Sequence, residues 1–269
     1  MKLIEDDAAH AAAAARVVIR ELTELEELNA VYELYNEIWR PDPTNPPVTT
    51  ELLRALTKAG NYVSGAYDGR RLVGACVGFF GTPSETTLHS HVAGVSASAM
   101  GRSVGFALKL HQRAWAAGHG LTSITWTFDP LVSRNAYFNL MKLGATPTEY
   151  LPNFYGGMHD GINGNDESDR LLVHWDLGKV GAPVVQSRSE AVIALDRSDT
   201  GLPVAGALDG QTLLVAAPRD IESLRAADPS AAKLWRVAMR DVLGTLLAEG
   251  ARVTGYDRSG WYLVSRKDS

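Results

Sequence analysis

Two apolar runs, Tyr62 to Tyr67 and Leu72 to Phe80, are separated by little more than Asp68-Gly69. Asp-Gly between apolar runs is a strong local signal for a tight β-hairpin. A hairpin pairs its two strands antiparallel, so no sheet containing these runs is purely parallel. That removes the fully parallel α/β architectures and leaves mixed ones.

The flanking pattern fills in the rest. Val17 to Leu22 alternates as a strand. Thr23, with Glu26 three residues on, has the capping-box pattern. Leu25, Leu28, Val31, Tyr32, Tyr35 and Trp39 then recur at helical spacing until Pro41, Pro43, Pro46 and Pro47 stop the helix. A second helix is expected from Thr50 to Ala59. After the hairpin come a strand at Leu88–Val95, a helix from Ser103 to Ala117 closed by Gly118 and Gly120, and a strand at Ser123–Phe128. A short helix from Ser133 to Leu143 and extended segments at Thr146–Tyr150 and Arg170–Leu177 complete the order β-α-α-β-β-β-α-β-α-β-β. The remainder predicts strands near Ala191–Leu195, Thr212–Ala216, Val253–Tyr256 and Trp261–Val264, with a long helix from Pro229 to Ala248.

The expected organisation is a disordered tail over 1–16, a mixed α/β unit over 17–179, a linker over 180–190 and a small α/β unit over 191–269. At 269 residues the chain buries enough surface to need no staples. The lone cysteine, Cys76, excludes a disulfide framework and a thiolate zinc cage, and reads as strand packing. No apolar run reaches the length of a membrane span. The net charge of −5 lies wholly in residues 1–179; residues 180–269 carry 11 basic and 11 acidic residues. Neither part is a basic block, which argues against nucleic-acid binding. The acidic, alanine-rich start lacks the basic opening and long apolar core of a secretory signal, so a cytoplasmic protein is expected.

Chemistry concentrates where the Leu88–Val95 strand turns into the next helix. The turn reads Val95-Ser-Ala-Ser-Ala-Met100-Gly101-Arg102-Ser103-Val104-Gly105. Small residues ahead of a helix N-terminus expose backbone N–H groups suited to a pyrophosphate. Two histidines, His89 and His91, share one face of the strand, and imidazole has the right intrinsic pKa for a general base. His-x-His also begins a metal site, but His111, His159 and His174 offer no matching spacing.

This element order, with a phosphate turn after the fourth strand, resembles the GNAT family of acyl-CoA-dependent N-acyltransferases over about residues 17–178. The family motif runs Val, then Gln or Arg, then Gly-x-Gly-x-Gly/Ala. Val95, Gly101, Arg102 and Gly105 fit, Met100 stands at the Gln/Arg position, and Ser103 replaces a glycine. A second landmark, Ala-x-x-x-Tyr-x-x-x-Gly, is matched by Ala136 and Gly144, with Leu140 in place of the tyrosine that often protonates the thiolate. The wider wording looks like a predicted subfamily with a C-terminal extension, some relatives of which are linked to N-succinylation of amino acids.

The resemblance implies a GNAT-like mixed central sheet flanked by helices, with a smaller C-terminal α/β extension. It implies transfer of an acetyl or other short acyl group, succinyl among them, to a primary amine of a small molecule such as an amino acid. The amine attacks directly, with no covalent enzyme intermediate. The co-substrate is acetyl-CoA or another acyl-CoA, without a metal. Ala93, Gly94, Val95, Met100, Gly101, Arg102, Ser103, Val104, Gly105, Asn135 and Phe138 would hold it. His91 stands where many relatives carry the basic carboxylate; Asn139 and Tyr137 neighbour the leaving sulfur. Trp126, Asp129, Asn153 and Tyr155 would face the acceptor. Arg236 and Arg240, at i and i+4 on one helix face, could grip a carboxylate or the CoA phosphates. Partners are limited to a small-molecule amine and, as protein, a second copy in a homodimer.

The sequence leaves two rivals open. The missing tyrosine and Gln/Arg suit a non-catalytic acyl-CoA sensor. Gly101-Arg-Ser103-Val-Gly105 also spells the Gly-x-Ser-x-Gly of serine hydrolases, although Ser103 lies well past the strand end where a nucleophile elbow would place it.

Overall fold

A computed structural model describes residues 2–158, 166–179 and 190–266. The chain divides into two compact units, Met1–Trp126 with Asp176–Gly178, and Thr127–Trp175 with Lys179–Ser269. This division differs from the expected boundary near 180–190, most of which lies outside the described residues. Its physical basis is internal to the second unit. Tyr262 donates its hydroxyl to the Pro130 carbonyl at 2.7 Å, and Ser133 hydrogen-bonds Tyr256, so residues just past the fifth strand pack with the C-terminal sheet.

The first unit opens with helix α1 (Lys2–Ala15), where a disordered tail was expected. Alanine has the highest helix propensity of any residue, and Ala8 and Ala15 are buried as α1 packs along α4. Then follow β1 (Val18–Glu21), α2 (Leu25–Trp39), α3 (Thr50–Lys58), β2 (Tyr62–Asp68), β3 (Arg71–Phe80), β4 (Thr87–Val95), α4 (Val104–Gly118) and β5 (Ser123–Phe128). Helix α2 starts one residue later than expected. The Glu27 carboxylate accepts from both the Thr23 and Glu24 N–H groups, making Glu24 rather than Thr23 the N-cap. The hairpin forms as predicted, with Asp68 still paired to Arg71 and Gly69 at φ 58° opening the turn.

The second unit contains α5 (Ser133–Tyr137), β6 (Thr146–Leu151), β7 (Arg170–Asp176), β8 (Val192–Arg197), β9 (Pro203–Ala205), β10 (Thr212–Ala216), α6 (Ile221–Ala227), α7 (Pro229–Met239), α8 (Thr245–Ala248), β11 (Arg252–Tyr256) and β12 (Trp261–Ser265). Helix α5 passes into a π turn at Phe138–Lys142, and α7 joins α8 through a π turn at Arg240–Gly244. Both were expected as unbroken α-helix. The strand order of the larger sheet is β1-β2-β3-β4-β5-β7-β6, and that of the smaller is β11-β12-β10-β8-β9. Among the described residues no helix is long and apolar enough to cross a membrane.

Strand β3 is buried on both faces, and its side chains sort by parity. Ala75 and Val77 join Leu28, Val31, Leu34, Tyr35 and Leu53 in the core under α2 and α3. Gly74 and Gly78 face α4, where a Cβ would press on Leu108 and Val104 or on Gln112. Small residues there let α4 lie close to the sheet.

Gly94 sets a similar limit on β4. A Cβ there would sit 2.7 Å from Trp39 and 2.8 Å from Ile38 at the end of α2, and Trp39 is itself held edge-on by Tyr35. Gly94→Ala is expected to destabilise the protein by about 1–3 kcal/mol through overpacking, read by denaturant unfolding. An unchanged midpoint would mean that α2 does not clamp β4.

Candidate functional site

Strand β4 is paired on its two sides to very different extents. Against β3 it is paired along most of its length, from Leu88 to Val95. Against β5 the parallel ladder covers only Thr87–His89 with Ser123–Thr125. Within the first unit, the β5-facing backbone edge from His91 to Val95 is therefore left without a strand.

A β-bulge falls at the same place. Val77 pairs with Val92 while Gly78 pairs with Ser90, so His91 is the extra residue. The bulge reverses the side-chain parity of β4. Before it, Ser90 faces α4 and His89 faces away; after it, Val92 and Gly94 face α2 while Val95 lies beside Gly105 of α4. Simple alternation would have placed His91 and Val95 on one face.

His89 and His91 do share a face, with ring centroids 6.4 Å apart and Phe79 lying 5.1 and 5.8 Å from them. Burial pushes the pKa of His89 down to about 4, helped by His91 and by Lys109. Burial also lowers His91, against the opposing pull of a hydrogen bond to the Pro47 carbonyl. That bond takes one ring N–H of His91, so near neutral pH the other nitrogen carries a lone pair. No cluster of three or more metal-ligating side chains occurs among the described residues.

Beyond Val95 the chain makes a 3-10 turn at Ala97–Ala99 and reaches α4 through Gly101 at φ 78° and Ser103 at φ 63°. A left-handed serine is strained, because its Cβ crowds the following carbonyl oxygen. Ser103 is the N-cap of α4, yet its side chain caps nothing. The first N–H groups of α4 thus keep their hydrogen-bonding capacity and the positive end of the helix dipole. A Cβ on Gly101 would meet nothing within 4 Å, and one on Gly105 only Val95 at 3.7 Å, so space lies in front of these donors. Met100 is exposed. Arg102 turns away: its guanidinium bonds Asp68 at 2.6 Å and the Ala15 and Arg16 carbonyls at the C-terminal end of α1. It anchors the loop rather than offering its side chain to a ligand.

One residue here escaped the sequence reading. Lys109 is buried, with its ammonium 2.7 Å from Ser90 Oγ, 3.3 Å from Gln112 Oε1 and 4.0 Å above the Trp126 ring. Burial lowers its pKa to about 8. Trp126, expected to face an acceptor, is buried under this cation. The signal available was polar spacing within a helix: Lys109, Gln112 and Arg113 are all buried on α4. Cys76 is packed in the same region, as expected, with its thiol pushed up by burial.

The other predicted site residues lie in the second unit. Asn135, Tyr137, Phe138 and Asn139 fall on α5 and its π turn; Asn139 is buried and the Tyr137 hydroxyl accepts from Arg258 Nε at 3.1 Å. Asn153, at φ 42°, accepts from Ser168 N at 3.2 Å and holds a turn. Tyr155 is exposed and bonds Thr127.

Asp129 and Arg236 meet as a buried bidentate pair, both contacts 2.9 Å, and the guanidiniums of Arg236 and Arg225 hold Asp129 well below the usual carboxylate range. Arg240 forks onto Asp169 at 2.9 and 2.6 Å and also pairs with Glu167. Arg236 and Arg240 were expected to offer open forks to a ligand. Arg236 instead meets Asp129 and Asp166, and Arg240 meets Asp169 and Glu167, because a buried guanidinium needs carboxylate partners.

No protein-family model matches the sequence, and no curated protein matches it. Solved structures do. A GNAT-family protein of Desulfovibrio desulfuricans is 14% identical, with TM-score 0.50 over 60% of this chain and 99% of its own. The ribosomal-protein-S18-alanine N-acetyltransferase of Escherichia coli is 12% identical, with TM-score 0.47 over 63% of this chain and 99% of its own. A Salmonella typhimurium protein solved with its cofactor acetyl-CoA is 18% identical, with TM-score 0.48 over 63% and 99%. At 14% identity and TM-score 0.50, the likeness to the Desulfovibrio protein is one of fold.

Two outcomes follow from the local geometry. Ser103→Gly should raise stability by about 0.5–1 kcal/mol by relieving the left-handed strain, measured by denaturant unfolding. Lys109 binds a proton less tightly folded than unfolded, so stability should rise with pH between about 8 and 10.5, where only the unfolded chain stays protonated. Thermal scans of Lys109→Met should lose that rise.

Proposed function

We propose that this chain, which has the GNAT fold, transfers a short acyl group from an acyl-CoA thioester to the primary amine of a small molecule. The observation that carries the reading is a strand edge left open from His91 to Val95 that leads directly into the uncapped N-terminus of α4. An open edge can pair with an amide-bearing arm such as pantetheine. An uncapped helix start can hold a pyrophosphate. The open surroundings of Gly101 and Gly105 support this reading, and Met100 and Ser103 do not oppose it, because the donors are backbone N–H groups.

In this reading the N–H groups from Gly101 to Gly105 bind the co-substrate phosphates. The β4 backbone near Ala93 offers an N–H to the thioester carbonyl as negative charge develops there. His91 accepts the ammonium proton, directly or through one water, so that the amine nitrogen can attack. The N–C bond forms, the C–S bond breaks, the thiolate leaves, and the second proton of the former ammonium passes to that thiolate or to water. A thiol pKa near 8.5 makes that departure feasible without the tyrosine that Leu140 replaces. Acetyl and succinyl are the acyl groups to try first, and amino acids the first acceptors. The hydrolase alternative finds no support at Ser103, whose hydroxyl bonds no histidine or carboxylate among the described residues.

The test is release of free thiol, crossing acetyl-, propionyl- and succinyl-CoA with amino acids and simple amines. At least one pair should turn over. His91→Ala should lower kcat/KM by about 10²–10⁴-fold with CoA binding retained. In the wild type the pH profile should steepen below pH 6.5, because the base works only when neutral and burial lowers its pKa. Binding without thiol release from any pair would turn the reading to a sensor. A near-wild-type rate for His91→Ala would remove His91 from the mechanism.

A further inference from the structure

We propose that Arg225 and Arg236, in the second unit, form a binding seat for a free carboxylate, which the chain's own Asp166 fills in this structure. The inference does not depend on acyl transfer.

Three observations support it. The first is the different fit of the two carboxylates that meet these arginines. Asp129 is framework: both its oxygens take Arg236, Oδ1 also accepts from Leu131 N, and Oδ2 takes Arg225. Asp166 meets Arg225 Nε and Nη2 at 3.2 and 3.1 Å, and Arg236 Nε and Nη2 at 3.3 and 2.9 Å, and all four contacts end on Oδ2. One oxygen cannot satisfy four donors; a carboxylate has about four lone-pair sites spread over two oxygens. A carboxylate free to turn would give one oxygen to each fork.

The second is an unclaimed donor. Arg225 Nη1 is buried and has no hydrogen-bond partner among the described residues, while its side chain is only 8% exposed. Such a group costs free energy unless something bonds it.

The third is charge. Arg170 is also buried and gives its donors to the Asp169 carbonyl and to Met158 Sδ, not to a carboxylate. Arg240 engages Asp169 and Glu167. Arg225 and Arg236 thus share Asp129 and Asp166, and Arg170 adds a third positive charge near Asp129 with no carboxylate bond of its own among the described residues. Each planar fork matches the two oxygens of a carboxylate, the group that Asp166 already presents to both arginines.

The test uses the full-length protein. Asp166→Ala is titrated with sodium acetate at constant ionic strength, against sodium chloride, with thermal unfolding as readout. Acetate should raise Tm saturably. Its apparent Kd should be at least about tenfold below that of the wild type, where the tethered Asp166 competes at an effective concentration on the order of mM. Glycine should act as acetate does. Adding Arg225→Gln should abolish the response. Should Asp166→Ala not fold, Asp166→Asn keeps the side chain's size and carries the same titration.

A saturable response to phosphate but not to acetate or glycine would overturn the carboxylate assignment. A response that survives Arg225→Gln would place the binding elsewhere. No saturable response in either Asp166 variant would overturn the proposal and leave these side chains as an internal ion-pair network.

Discussion

Strand β4 loses one of its two partners partway along its length, and the chemistry ascribed to this protein depends on that loss. Three residues pair with β5; after His91 only β3 remains. A backbone edge inside a fold is costly to leave unpaired, because its N–H and C=O groups are obligatory hydrogen-bonding groups. Here the β5 ladder stops at His89, the bulge against β3 follows at His91, and Gly94 admits the end of α2 against one face of the strand. The same strand runs into Gly101 and Ser103, whose left-handed backbones start α4 without a side-chain cap. The open edge and the uncapped helix are therefore consecutive in sequence as well as in space.

Electrostatics follows from the same packing. An acidic chain offers no general attraction for a polyanionic ligand, so binding must come from local dipoles. Arg102 illustrates the point, since its charge is used to tie the loop to Asp68 and to the end of α1. Burial keeps His89 and His91 neutral near pH 7, which suits a base. Lys109 remains the unusual member, a buried ammonium bonded to neutral partners and lying over Trp126.

Much of the fold was legible in the sequence because its signals are local. Asp68-Gly69 marks a hairpin, the α2 stripe marks an amphipathic helix, and Ser123–Phe128 marks a strand to the residue. What was not legible depends on contacts distant in sequence. The alanine run became α1 because α4 offers it a surface. The bulge at His91 leaves no mark in the alternation of β4, so the sequence does not show that His91 and Val95 fall on different faces. Arg236 and Arg240 were correctly placed on one face, but the carboxylates opposite them come from residues 129 and 166–169, which no helical periodicity relates to α7. Arg225 lies on α6, a helix the sequence reading did not anticipate, although Asp220 caps it.

The central claim is that the backbone from Gly101 to Gly105 binds the phosphates of an acyl-CoA. Amide resonances report it most directly, by following backbone ¹⁵N–¹H shifts of the full-length protein as CoA is added. Saturable shifts should be largest at Gly101, Ser103, Val104 and Gly105, with smaller ones along Ala93–Val95. Saturable shifts centred elsewhere, or none at millimolar CoA, would contradict it.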